Sequence, residues 1–96
     1  MEKLIIPEQN IINAICVDVS RIYNISPEEV EVELAFDDDE GFTAEAYIQN
    51  QTIHLSTLNM IEALRHTIRE FLNLDPNSSA IELILDDEEG IIAAIS

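Results

Sequence analysis

The 96-residue chain contains one cysteine, two glycines, three prolines and only four lysines and arginines. A single thiol, Cys16, leaves no internal disulfide to form, and with His54 and His66 it makes no zinc-finger spacing. No GxSxG elbow and no glycine-rich phosphate loop is present, so the common hydrolase and nucleotide-binding signatures are excluded. No stretch approaches the roughly eighteen apolar residues that a membrane helix needs. The opening "MEKLIIPEQN" has too short an apolar run before Pro7 and Glu8 for a signal peptide, which predicts a cytoplasmic protein.

The shortage of bases is matched by an excess of acids. Twenty aspartates and glutamates leave a formal net charge of -16. Long-range repulsion therefore disfavours direct binding to nucleic acid or to an anionic membrane, and basic proteins and cations are attracted. With 47% hydrophobic residues the chain is no disordered acidic tail. Its length suits one domain, residues 1–96, with one core and no need of disulfide or metal staples.

Within that domain the second half repeats the first. A shift of 49 residues aligns Lys3–Tyr47 on Thr52–Ser96 without a gap, giving 12 identities where roughly four are expected by chance. They include Asn10 with Asn59, Ala14 with Ala63, Pro27 with Pro76, Leu34 with Leu83 and Gly41 with Gly90. The two repeats span about 3–48 and 52–96, with "QNQ" at 49–51 as the join. The acidic phrase "FDDDEG" recurs as "LDDEEG" and is one feature made twice.

Each half reads as strand, helix, strand, strand. "LII" and "TIHL" are short β-type runs, ended by Pro7 as a first-turn proline and by Ser56 as an N-cap. Ile11, Ile12, Ile15, Val19 and Ile22 recur at helical spacing, as do Ile61, Leu64, Ile68, Phe71 and Leu72. Matched turns follow, with Ser26 or Asp75 placed to cap before a proline. In the first hairpin Val30, Val32, Leu34, Phe36, Phe42, Ala44, Ala46 and Ile48 share the inner face; in the second, Ile81, Leu83, Leu85, Ile91, Ala93 and Ile95 do. This predicts an α+β two-layer sandwich: two βαββ repeats forming one mainly antiparallel sheet of about six strands, with both helices on one face and a pseudo-twofold axis between them.

Four features are candidates for function. The first is the pair of acidic tips, Asp37, Asp38, Asp39 and Glu40, and Asp86, Asp87, Glu88 and Glu89. EF-hand spacing fails, because with Gly41 at position 6, Phe36 and Tyr47 fall where ligands are required. Two readings remain: a plain hairpin turn with glycine at positive φ, or clustered carboxylates that attract Ca²⁺, another divalent cation or a Lys/Arg-rich partner. The second is the basic patch Arg65, His66 and Arg69 on the outer side of the second helix, where Glu62 and Glu70 sit at pairing distance in sequence. The third is Cys16, whose helical spacing makes it a packing residue rather than a nucleophile.

The fourth is a contrast between outer sheet faces. The first hairpin turns Glu31, Glu33, Thr43, Glu45 and Tyr47 outward, whereas the second turns out Glu82, Ile84, Ile92 and Ala94, with Ile5 beside them. An apolar sheet back is a surface for a partner or a second subunit.

"IPEQNIINAICV" and "PEEVEVELAFDDDEGFTAEAY" resemble a family of small, uncharacterised bacterial proteins, mostly of Gram-positive spore formers, that carry a domain of unknown function. The resemblance implies a bacterial cytoplasmic setting and transfers no functional residues. The function expected is a non-enzymatic acidic protein-interaction module without a cofactor, which forms a homodimer or binds a protein partner through the sheet back. Divalent-cation binding at the tips, or service as an acidic decoy for a basic nucleic-acid-binding protein, are the alternatives.

Overall fold

The structure, a computed structural model, describes residues 4–71 and 80–96. Leu72, Asp75 and Pro76, which the sequence placed in the last helical turn and the loop after it, lie outside the described residues. Strand β1 (Leu4–Ile6) leads into helix α1 (Glu8–Tyr23), a single 3₁₀ turn (Pro27–Glu29) and the hairpin β2 (Glu31–Asp37) and β3 (Gly41–Ile48). Strand β4 (Gln51–Leu55), helix α2 (Thr57–Phe71) and the hairpin β5 (Ile81–Asp86) and β6 (Gly90–Ile95) follow. No helix among the described residues is long and apolar enough to cross a membrane.

The six strands do not form the single sheet expected from the sequence. They make two three-stranded antiparallel sheets, β1-β6-β5 and β2-β3-β4. Within the expected join at 49–51, Gln49 and Asn50 form a tight turn with Gln49 at φ 35° and Gln51 opens β4, and a turn that short lays β4 directly on β3. β1 in turn lies on β6, with Ile6 opposite Ala93, 87 residues away in sequence, and Ile5 opposite Ala94. The last strand of each hairpin thus becomes the centre of its sheet, covered on its second side by a strand from the other half of the chain.

The pairing registers of the two sheets correspond. Leu34 stands opposite Ala44 and Asp37 opposite Gly41; 49 residues on, Leu83 stands opposite Ala93 and Asp86 opposite Gly90. Ala44 also faces Leu55 across to β4, as Ala93 faces Ile6 across to β1.

Period-2 alternation sorts the hairpins as expected. Ala44, Ala46, Ile48, Ile91, Ala93 and Ile95 belong to the core cluster, with Val32, Leu34, Ile81 and Leu83 packed against it. The small alanines at the sheet centres leave room for the helices, whose Ile11, Ile15, Val19, Met60, Leu64 and Ile68 are the largest fully buried side chains. Each such residue contributes roughly 1.5–3 kcal/mol through burial. Three residues of the expected inner set are exposed: Phe36 and Leu85 because they sit at the hairpin ends, and Ile22 because it is in the last turn of α1, beyond the sheet. Phe36 still stacks obliquely on Phe42 with ring centroids 4.8 Å apart.

Pro7, expected in the first helical turn, stands just before it as the N-cap of α1, and Ser56 and Ser26 cap where the sequence places them. The carbonyl of Pro7 accepts the first α1 bonds, from the N–H groups of Asn10 and Ile11. At the start of α2 the Ser56 hydroxyl accepts from the Asn59 N–H at 3.2 Å, and the Asn59 side chain accepts from the Ser56 N–H at 3.1 Å. Ser26 and Glu29 form the same reciprocal box on the 3₁₀ turn. α1 stops at Asn24, left-handed at φ 56°.

Candidate functional site

Register places the outer residues of each sheet in rows. Across β4, β3 and β2, His54, Glu45 and Glu33 form one row. Across β1, β6 and β5, the matching row is Ile5, Ala94 and Glu82, with Ile92 beside Ile84 in the next. One sheet back is therefore acidic and the other largely apolar, because the two hairpins share inner residues and differ in outer ones.

The apolar back is partly covered. Ile5, on an edge strand, is 49% exposed and Ile84 half-buried, whereas Ile92 at 9% and Ala94 at 3% are packed although they stand apart from the core cluster. The sequence placed all four outward as equals; in the structure Ile92 and Ala94 of the central strand are buried and Ile5 of the edge strand is not.

On the acidic back, the Tyr47 hydroxyl lies 3.2 Å from a carboxylate oxygen of Glu33 and 3.2 Å from one of Glu45. Loss of solvent around the phenol and the two neighbouring carboxylates push its pKa up to about 12, so it remains a hydrogen-bond donor at physiological pH. The alternation had put Tyr47, Glu33 and Glu45 on one face but could not bring their ends together.

At the tips, one aspartate of each turn works as a backbone cap. An Asp37 oxygen accepts from the N–H groups of Asp39 (2.7 Å) and Glu40 (3.3 Å); an Asp86 oxygen accepts from those of Glu88 (2.8 Å) and Glu89 (2.9 Å). These two bonds hold the Asp86 carboxyl below the ordinary aspartate pKa. Gly41 and Gly90, at φ 77° and 79°, close the turns. Among the described residues no three His, Cys, Asp or Glu side chains converge to hold a metal ion. Asp38, Asp39, Asp87, Glu88 and Glu89 are exposed.

The basic patch lies on α2 and makes contacts across to α1. The His66 ring lies 2.7 Å from an Asp18 carboxylate oxygen, and Glu70 receives a two-pronged hydrogen bond from Arg21. Both partners are on α1, whereas the sequence pairs Glu70 with its own helix. The pairs climb α1 and α2 together, so the helices run side by side in the same direction. Arg21 holds the Glu70 carboxyl below its usual range. Arg69 is exposed and Arg65 half-buried. Cys16 packs against the core as expected; its thiol donates to the Val30 carbonyl at 3.5 Å, and burial pushes its pKa up, away from the reactive thiolate.

Two contacts had no signal in the sequence. Glu8, in the first turn of α1, accepts a hydrogen bond from the Ile91 N–H at 2.9 Å, tying that helix to the second hairpin. Thr57, in the first turn of α2, donates to the Phe42 carbonyl and ties α2 to the first hairpin.

The chain belongs to the family described as "Protein of unknown function (DUF2653)", whose pattern matches residues 1–88. No curated protein and no solved structure matches it.

Proposed function

We propose that this family member is a non-enzymatic acidic protein-interaction module that self-associates through the back of sheet β1-β6-β5. The observation that carries the reading is the contrast of outer rows: Ile5, Ala94, Ile92 and Ile84 on this sheet, against His54, Glu45 and Glu33 on the other. Ile92 and Ala94 are already packed, so the gain on association falls to Ile5 and Ile84. Each adds up to roughly 1.5–3 kcal/mol on full burial. A twofold contact through this face keeps the acidic back of the other sheet outside, which limits repulsion between two chains of charge -16.

The test is light scattering on the wild type and on the double variant Ile5→Glu, Ile84→Glu, with circular dichroism to verify folding. A dimeric wild type and a folded monomeric variant are expected. A wild type that stays monomeric at high micromolar concentration refutes the reading.

The architecture belongs to the same proposal. We read the chain as two βαββ halves about a pseudo-twofold axis, making a two-layer sandwich in which each half lends its first strand to the other half's hairpin. The coincidence of registers at a 49-residue shift supports this, as does the contact between Arg21 and Glu70, which are equivalent positions and so meet on the axis.

A further inference from the structure

We propose that the free edge of β2 and the adjoining flank of α1 form a groove for an extended cationic peptide segment, which adds a strand to sheet β2-β3-β4. β2 ends its sheet, with β3 on one side and no strand on the other among the described residues. A cleft of about 720 Å³ runs along that edge. Its apolar wall is Ile12 and Cys16 of α1 with Val30 and Val32; Glu31 and Glu33 stand along the opposite rim.

The geometry of strand addition dictates the occupant. A strand laid beside β2 projects alternate side chains to opposite faces. One set enters the apolar wall over Val30, Val32 and Ile12, and the other lies beside Glu31 and Glu33. The segment that fits therefore alternates small apolar residues with lysine or arginine.

A second observation points to the cation. Glu33 and Glu45 stand directly opposite each other in register, an arrangement of like charges that destabilises a sheet. Tyr47 reaches both, but its one proton serves a single carboxylate at a time. On the β4 side the row continues to His54; on the β2 side it is open at the sheet edge. A lysine or arginine of an added strand, opposite Glu33, lies where it neutralises this pair. A second copy of the chain fits less well, since β2 pairing with β2 brings the Glu31 and Glu33 of one copy against those of the other.

The experiment uses the full chain and a labelled seven-residue peptide of alternating lysine and valine, the length of β2, read by fluorescence anisotropy. Two control peptides are a composition-matched one with its lysines clustered and an alternating one N-methylated along the edge-facing backbone. Saturable one-to-one binding is expected, weaker by about tenfold or more for either control and for the folded variant Glu31→Gln, Glu33→Gln. Equal binding of alternating and clustered peptides reduces the effect to bulk charge attraction and overturns the proposal, as does no binding at all. Self-association that strengthens in the Glu31→Gln, Glu33→Gln variant and competes with the peptide makes a second copy the occupant and overturns it too. The Ile5→Glu, Ile84→Glu variant is expected to bind the peptide as the wild type does, so failure of the dimer reading and failure of this one are distinguishable.

Discussion

Replacing each of the two glycines by alanine is expected to have unequal consequences, although the turns look alike. Gly41 and Gly90 have nearly the same φ, 77° and 79°, so alanine meets the same left-handed backbone cost of about 1–2 kcal/mol at either place. Their surroundings differ. A Cβ on Gly41 would lie 3.6 Å from the Thr57 hydroxyl, an ordinary contact. A Cβ on Gly90 would lie 2.5 Å from one Glu8 carboxylate oxygen and 3.1 Å from its Cδ. Glu8 can swing aside, but it then abandons the N–H of buried Ile91, a hydrogen bond to a charged group worth about 1.5–3 kcal/mol. Gly90→Ala is therefore expected to cost about 3 kcal/mol against about 1.5 for Gly41→Ala, a difference of roughly 6–12 °C in Tm for a chain of this size. Urea unfolding followed by circular dichroism measures both. In a Glu8→Ala background the hydrogen bond is already absent, so Gly90→Ala should fall to the cost of Gly41→Ala. Equal losses for the two glycine variants, or a strictly additive Glu8→Ala, Gly90→Ala cycle, would refute the reasoning.

Ile15→Ala, at a fully buried position of α1, is expected to lose about 2–5 kcal/mol in the same assay. Asp86 has a folded pKa below its ordinary value, so its stabilisation is complete above the unfolded pKa near 3.8 and is lost as pH falls through the lower folded value; Asp86→Asn should flatten that acid limb of the unfolding curve. For Tyr47 the folded pKa is raised, so its contribution is present below the ordinary phenol value near 10 and lost as pH rises toward about 12. Ultraviolet titration should show that late phenolate step, and Tyr47→Phe should remove it. The exposed Arg21–Glu70 pair should contribute little, and what Arg21→Gln loses in Tm at low salt should vanish at high salt.

Much of the local structure could be read from spacing because its causes are local. Alternation placed Ala44, Ala46, Ile91 and Ala93 inward, helical spacing selected Ile11, Ile15, Leu64 and Ile68 for the core, and Ser26, Ser56, Gly41 and Gly90 marked caps and turns by their own backbone chemistry. The same alternation separated the acidic outer face of one hairpin from the apolar outer face of the other. What it could not supply was the choice of partner between distant segments. A strand's hydrophobic pattern states which face is buried and is silent on which neighbour completes its ladder, so the division into two sheets, with β1 on β6, belonged to the tertiary structure. Side chains followed that choice: Glu70 meets Arg21 and His66 meets Asp18 because the packing of α1 beside α2 turns those side chains toward each other, which spacing along one helix does not reveal. Ile92 and Ala94 lie on a central strand and are packed while Ile5 lies on an edge strand and is exposed, a distinction between central and edge positions that exists only once strand order is set.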